Sequence, residues 1–212
     1  MLATVDALLP LSLLEAVRNV DTPSDQLDTE FVDELRNKRF GLSDTVYAQI
    51  KRHSEAAKRG QRTDQDESIA LAKLIGRRPD AEAVFRAAGR YMAREAYLTI
   101  PSVTRQMMRL LPSAVARPLA FRHARKIATR YLGGNVRRMG GFLLFDVSQP
   151  VTLGTAPGAI GCTYYEASLR ELLSLLIGSI GAVEHVRCEG RGEGGCEWRA
   201  DWRSFDRGAG IE

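Results

Sequence analysis

Hydrophobic residues recur every three to four positions through most of the first 132 residues, which is the spacing of a helix with one apolar face. Short segments rich in Gly, Pro, Ser and Asp interrupt this pattern. Asp80, which follows Pro79, is a candidate N-cap for one of the helices. The predicted helices span 5–19, 27–37, 43–58, 65–76, 80–99, 102–111 and 116–132.

The pattern becomes strand-like after residue 132. The β-prone runs "FLLFDV" and "QPVTLG" predict a hairpin that turns at "SQ". The Leu-rich run "CTYYEASLRELLSLLIGSI" predicts a buried helix, and "AVEHVRC" and "CEWRADW" predict a second hairpin. The order helices, hairpin, long helix, hairpin predicts an α+β fold in which helices cover an antiparallel sheet. We expect residues 1–75 to form a helical extension, residues 76–204 to form the main domain, and residues 205–212 to be a loose tail.

Composition and charge exclude several classes of protein. Hydrophobic residues make up 44% of the 212 residues and charged residues 26%, as in an ordinary globular protein. The net charge is +4 with the charges scattered, so we expect no nucleic-acid partner. No apolar run is long enough for a membrane span. The first twenty residues lack a basic start and contain Asp6 and Glu15, so they predict a helix rather than an export signal, and the cytoplasm is the expected compartment.

The stretch "HVRCEGRGEGGCEW" contains a Gly-x-Gly-x-x-Gly pattern at Gly190, Gly192 and Gly195. A dinucleotide site requires a helix directly after these glycines, because the helix N-terminus binds the pyrophosphate. Here a β-prone run follows instead. The glycines therefore predict the loop of a hairpin, where positive φ angles are needed.

The three cysteines suggest a metal site. Cys188 and Cys196 lie at the two ends of that loop, and Cys162 begins the preceding helix. Three thiolates and a fourth ligand, His185 or Glu184, would complete a closed tetrahedral zinc site. Strict strand alternation places Glu184 on the Cys188 face, whereas a bulge would bring His185 there. The alternative is three buried free cysteines with no chemical role.

The cysteine spacing, together with "GAIGCTYYEASLRELL" and "GRRPDAEAVFRAAGRYMA", resembles the 4-vinyl-reductase-type domains. These domains share a fold with the TRAPP vesicle-tethering subunits and with the sensor domains of phenol-responsive transcription activators. The resemblance covers roughly residues 75 to 203. It implies a structural zinc ion held by Cys162, His185, Cys188 and Cys196. In the aromatic sensors, glutamate is usual at the position of His185.

The resemblance also implies a ligand pocket between the helices and the sheet. Its candidate lining residues are Phe85, Tyr91, Met92, Met107 and Met108, which could equally be ordinary core. His123 lies beside an apolar stripe and could ligate the magnesium of a tetrapyrrole, or it could be a hydrogen-bonded core histidine. The cations near it could pair with propionates or simply be solvated: Arg122, Arg125, Arg130, Arg137 and Arg138. A further histidine, His53, has polar neighbours and is predicted to be exposed.

Freestanding chains of this type resemble the 4-vinyl reductases of bacteriochlorophyll biosynthesis. The function so implied is binding of a magnesium-porphyrin precursor, with a chelatase or methyltransferase of the pathway as possible partner. No nucleotide or flavin fingerprint occurs in the sequence, which favours a binding protein over an enzyme. The alternatives are a sensor of small aromatic effectors and a dimeric scaffold. The apolar faces around Leu8–Leu14 and Phe31–Leu35 predict a homodimer.

Overall fold

The computed structural model describes residues 3–22, 40–178 and 181–201. Within these ranges the predicted helices are confirmed to within about three residues at each end. The predicted helix 27–37 lies outside the described residues. The helices are α1 (Leu8–Asp21), α2 (Asp44–Lys58), α3 (Gln65–Gly76), α4 (Ala81–Leu98), α5 (Ser102–Leu110), α6 (Ser113–Tyr131) and α7 (Thr163–Ile177).

Local side-chain chemistry fixes several helix ends. The Ser43 hydroxyl accepts the Val46 amide at the start of α2, and Gly178 ends α7 with a φ of 68°. Asp80 occupies the predicted N-cap position of α4, but its side chain does not cap the helix. Its carboxylate instead accepts two hydrogen bonds from the Arg78 guanidinium, because a charged partner outcompetes a backbone amide.

Four antiparallel strands form the main sheet in the order β3-β4-β6-β5. These strands are β3 (Gly134–Met139), β4 (Phe142–Val147), β5 (Val183–Arg187) and β6 (Cys196–Asp201). A separate two-stranded ladder pairs β1 (Thr4–Asp6) with β2 (Arg62–Asp64). The second predicted hairpin, β5–β6, is confirmed together with the predicted α+β class.

The predicted pairing of "FLLFDV" with "QPVTLG" is wrong. The strand β4, which contains "FLLFDV", pairs with β3 before it, through a two-residue Gly140-Gly141 turn between Met139 and Phe142. Gly140 has a φ of 59°, the left-handed conformation that a tight hairpin turn requires and that Ser-Gln does not favour. The segment after β4 forms a series of turns up to the short 3-10 turn Ile160–Cys162.

The core lies between the helices and the main sheet. Helix α7 packs along α4 on one side and against β5 and β6 on the other, while α1 packs on α4. Gly89 lets α4 and α7 approach closely, because a Cβ there would clash with the carbonyl oxygen of Tyr164. The largest fully buried side chains include Trp198, Tyr164, Tyr165, Phe85 and Phe145.

Helix α1 belongs to this same core. Its residues from Leu8 to Val17 are buried, and the apolar cluster that contains them extends to Trp198. The face Leu8–Leu14, on which the homodimer was predicted, is therefore covered within the chain itself. The other predicted face, Phe31–Leu35, lies outside the described residues, and the homodimer stays a prediction.

Candidate metal centre

A β-bulge decides which side chains of the second hairpin face the interior. His185 pairs with Trp198, but Arg187 pairs with Glu197, so β5 contains one extra residue, Val186, between these pairs. Such an insertion reverses the alternation of the residues that follow it. His185 therefore faces the same side as Cys188, and Glu184 points outward, where its carboxylate lies 2.6 Å from the Arg199 guanidinium.

The four candidate ligands converge at one point. The Sγ atoms of Cys162, Cys188 and Cys196 and an imidazole nitrogen of His185 all lie within 4.8 Å of one another. The three cysteines are buried and His185 is half-buried. The Sγ atoms of Cys162 and Cys188 are 4.0 Å apart, about twice the length of a disulfide bond, and the three thiols are free. This group could hold a metal ion.

The ring of His185 is fixed in position from two sides. It stacks on the buried Trp198 ring, with centroids 4.7 Å apart and an angle of 7° between the planes. Its Nε2 atom is buried with no hydrogen-bond partner among the described residues, and the ring is hydrogen-bonded to the Arg187 backbone. That bond must therefore belong to Nδ1. A histidine with one nitrogen tied to the backbone and the other left free is the usual arrangement for a metal ligand.

Cys162 approaches the β5–β6 hairpin from the start of α7. It ends the 3-10 turn Ile160–Cys162 and directly precedes α7. Thr152 donates a 2.6 Å hydrogen bond to the carbonyl of Gly161, which ties the turn to the preceding segment. A Cβ at Gly161 would clash with the Thr152 carbonyl, so the sulfur is positioned by a tightly packed backbone.

Hydrogen bonds around the metal ligands hold the loop between Cys188 and Cys196, and these contacts were not predicted from the sequence. The Glu193 carboxylate accepts the Cys188 amide at 2.6 Å and also two hydrogen bonds from the Arg191 guanidinium. The Arg191 and Glu193 amides in turn donate to the Cys188 carbonyl. One feature of the sequence indicates such contacts: the loop is short and rich in Gly. In a short loop the few charged side chains turn back onto the loop's own backbone.

Burial and mutual repulsion disfavour negatively charged thiolates in this cluster unless a cation is bound. Burial raises the pKa of the Cys162 thiol, and the two neighbouring cysteines raise it further. Burial also raises the pKa of Cys196, against an opposing hydrogen bond from the Glu189 backbone. Burial lowers the pKa of His185, which keeps the imidazole neutral. Only a bound cation would stabilise several thiolates in this space, and a neutral imidazole is the form that binds one.

The six side chains predicted to line a ligand pocket do not share one surface. Phe85, Met92 and Met108 are fully buried in the core. Tyr91 is half-buried, and burial, with Glu15 and Glu95 nearby, raises its pKa to about 12. Two of the six are more accessible: Met107 of α5 has an exposed fraction of 49%, and His123 of α6 is half-buried.

Two clefts among the described residues lie away from those six side chains. One of about 670 Å³ lies beside α2 and β2. A second of about 670 Å³ lies between α3, the start of α4 and the turns after β4. His53 lines the first cleft, and the prediction that it is exposed is wrong, because only 2% of its surface is accessible. Its neighbours are polar, but the packing of α2 onto the core covers the ring.

In comparisons of the chain with protein-family models, with curated proteins and with solved structures, no match is found. The metal centre therefore rests on its geometry, and the 4-vinyl-reductase-type assignment stays a prediction from the motifs. Among the residues that the structure describes, none of the helices combines the length and apolarity that a membrane span requires.

Proposed function

We propose that this chain is a tetrapyrrole-binding accessory protein of the 4-vinyl-reductase type, in which one structural zinc ion joins the β5–β6 hairpin to the start of α7. The observation that carries the proposal is the convergence of Cys162, His185, Cys188 and Cys196 in one buried cluster. These are the four ligands that the resemblance implies.

Zinc suits this cluster better than other metals do. Three thiolates and one imidazole are a standard zinc ligand set, whereas calcium and magnesium prefer oxygen. Zinc–sulfur bonds of about 2.3 Å in a tetrahedron place sulfurs roughly 3.8 Å apart. The 4.0 Å between the Cys162 and Cys188 sulfurs fits that size. Four protein ligands leave no open position, so the metal is structural and takes no part in a reaction.

The filled site would carry only a small net charge. Three thiolates, a neutral imidazole and Zn²⁺ together carry one negative charge. The hydrogen bond to Glu193 raises the pKa of Arg191, and the nearby Cys188 and Cys162 raise it further. Glu193, which binds Arg191 and the Cys188 amide, holds this cation beside the cluster. Outer contacts of this kind orient and stabilise metal ligands.

Support for the tetrapyrrole comes from the resemblance and from the two more accessible candidates, Met107 of α5 and His123 of α6. Burial lowers the pKa of His123, and the charges of Lys126 and Arg122 lower it further, so the ring is neutral near pH 7. A neutral imidazole can ligate magnesium, and Arg122 and Arg125 lie near it for the acid groups of a pigment. Fully buried aromatic rings such as Phe145, Tyr164 and Trp198 fill the space between helices and sheet. We therefore place the pigment at the α5–α6 surface.

Titration with magnesium protoporphyrin tests this function. We expect saturable binding at micromolar concentration or tighter, seen as a shift of the Soret band and a change in fluorescence. His123→Ala and Met107→Trp should each weaken it at least tenfold, because they remove the metal ligand or fill the contact surface. Gln106→Ala, at an exposed neighbouring position of α5, is the matched control and should bind as the unmodified protein does.

Absence of saturable binding by the folded, zinc-loaded protein would contradict the pigment function. Binding of a small phenol but not of the porphyrin would favour the aromatic sensor. Binding of neither, together with a dimer in light scattering, would favour the scaffold.

A further inference from the structure

The basic and acidic residues are unevenly distributed along the chain. Between Ala96 and Phe145 the sequence contains nine Arg and Lys residues and no Asp or Glu. The rest of the chain is net acidic, with 26 acidic against 21 basic residues. Helices α5 and α6 and the strand β3 lie within this segment, so its basic residues belong to three consecutive elements.

The exposed face of α6 concentrates part of this charge. Arg122, Arg125 and Lys126 are exposed, and among the described residues no ion pair joins any of them to an acid. By contrast, Arg130 lies 3.4 Å from Asp6 and Arg137 lies 3.1 Å from Asp146. The three cations of α6 are therefore available to a partner.

Apolar side chains project from the same helix pair. Val103, Met107 and Leu110 occur at i, i+4 and i+7 of α5 and so share one face of the helix. Val103 and Leu110 have exposed fractions of 67% and 78%, and Val115, in the first turn of α6, has 56%. Exposed apolar residues next to cations on a short helical corner are typical of segments that lie in the interface of a membrane.

We propose that the α5–α6 corner, defined as residues 102–131, docks on an anionic lipid surface, with Val103, Leu110 and Val115 inserted among the lipid chains and Arg122, Arg125 and Lys126 on the phosphates. The proposal goes beyond pigment binding, although it shares Arg122 and Arg125 with the pigment site, so that pigment and lipid would compete for these two cations. It needs no helix to cross the membrane.

A lipid surface fits this corner better than another macromolecule does. The apolar side chains of this corner are more than half exposed and project outward. A protein partner would need a matching groove to enclose them, whereas a lipid surface would not. Nucleic acid would use the cations, but it gains little from exposed Val and Leu on a neighbouring helix. Insertion of apolar side chains combined with attraction of each cation to acidic lipid, by contrast, uses both features.

Flotation with pigment-free vesicles tests the proposal. The full-length, zinc-loaded protein should float with vesicles of phosphatidylcholine and phosphatidylglycerol at 3:1. It should not float with phosphatidylcholine alone, and 0.5 M NaCl should weaken the binding. Because the vesicles contain no porphyrin, failure here is distinct from failure of pigment binding.

Two sets of substitutions separate the apolar and the charged contributions. The triple variant Val103→Gln, Leu110→Gln, Val115→Gln should lose at least tenfold in vesicle affinity. The triple variant Arg122→Gln, Arg125→Gln, Lys126→Gln should lose roughly a hundredfold, since each cation near an acidic surface contributes several-fold. Circular dichroism checks that both remain folded, which their exposed positions favour.

Matched controls use equal changes elsewhere on the surface. Lys51→Gln, Lys58→Gln, Lys73→Gln removes the same charge from α2 and α3, and Tyr47→Gln with Leu74→Gln removes exposed apolar side chains. Both should float as the unmodified protein does. The proposal is overturned if the unmodified protein does not float with the anionic vesicles at low salt. It is also overturned if the Val103, Leu110, Val115 variant floats normally, or if the Lys51, Lys58, Lys73 control loses as much as the α6 variant. Any of these outcomes would mean that the α5–α6 corner does not bind lipid in the proposed way and that its partner is a polyanion or a protein.

Discussion

At the scale of single residues, one inserted position decides the metal centre. Val186 is the extra residue of β5, and because of it His185 faces the cysteines while Glu184 faces Arg199. The sequence left these two neighbours as alternatives, because period-two alternation and a bulge give opposite answers. The three cysteines were predictable from their places at the loop ends and the helix start. Glu193 and Arg191 were not, since their roles arise from the shape of the loop.

Substitution of the two neighbours should therefore have unequal effects. His185→Ala should lower zinc affinity at least about tenfold, because even outer contacts of metal ligands contribute 10- to 100-fold. Glu184→Ala removes an exposed ion pair and should change neither zinc affinity nor, beyond about 0.5 kcal/mol, the free energy of unfolding. Competition with a chromogenic chelator measures both. Equal loss in the two variants would mean that the bulge does not select His185.

A second residue predicts a pH dependence. Burial lowers the pKa of His53 from 6.5, despite attraction from Glu67, and Arg52 lowers it further. The unfolded chain therefore binds a proton near pH 6.5, whereas the folded chain does so only at lower pH. The free energy of unfolding should fall as the pH drops below about 6.5.

Urea unfolding at pH 7.5 and 5.5 measures this effect. The unmodified protein should lose more free energy of unfolding between the two pH values than His53→Gln does, because only the unmodified protein carries this histidine, whose pKa is lowered by burial on folding. Loss of zinc at low pH affects both proteins, so the difference between them isolates His53. An identical pH dependence in both would show that His53 is not held neutral by burial.

At the scale of elements, helix bounds followed from the apolar spacing, but strand pairing did not. Every predicted helix within the described residues forms, because each has an apolar face with breakers at its ends. The first hairpin was predicted with the wrong partner strand: β4 pairs with "GNVRRM" before it and not with "QPVTLG" after it. The two runs are equally β-prone, so composition did not distinguish them. Only the conformation required at Gly140 distinguishes the two turns. Pairing depends on turn chemistry and tertiary contacts, which are weaker in the sequence than periodicity.

The α4–α7 contact provides a prediction at this scale. Gly89→Ala should lower the free energy of unfolding by at least about 2 kcal/mol, because the added Cβ would clash with the Tyr164 carbonyl. Helix propensity alone predicts the opposite sign, a gain of about 1 kcal/mol. Ala83→Ser adds one atom at an exposed position of the same helix and should change stability by less than about 0.5 kcal/mol. Denaturant unfolding of both decides between packing and propensity.

At the scale of the whole molecule, the first helix is joined to the rest both by the core and by an ion-pair network. The Arg78 guanidinium donates to the carboxylates of Asp21, at the end of α1, and of Asp80, before α4. Asp21 also accepts the Gly41 amide at 2.7 Å. Hydrogen bonds to Asp80 and Asp21 raise the pKa of Arg78, and the bond from Arg78 lowers the pKa of Asp80. Such a long-range pairing was not readable from the sequence, since Asp21 and Arg78 are 57 positions apart.

Removal of this cation should destabilise the whole fold. Arg78→Met removes the guanidinium that pairs with the buried Asp21 carboxylate and should lower the free energy of unfolding by about 3 kcal/mol. Arg77→Met removes the same charge at an exposed neighbouring position and should cost less than about 0.5 kcal/mol. Thermal unfolding of the two variants gives the comparison. Similar midpoints would show that the network does not hold α1 in place.

The most direct test of the central claim is X-ray absorption at the zinc edge of the purified protein, combined with its metal content. The account predicts one zinc ion per chain with three sulfur ligands at about 2.3 Å and one nitrogen ligand at about 2.0 Å. Protein that is folded but contains no zinc, or zinc surrounded mainly by oxygen and nitrogen, would contradict it.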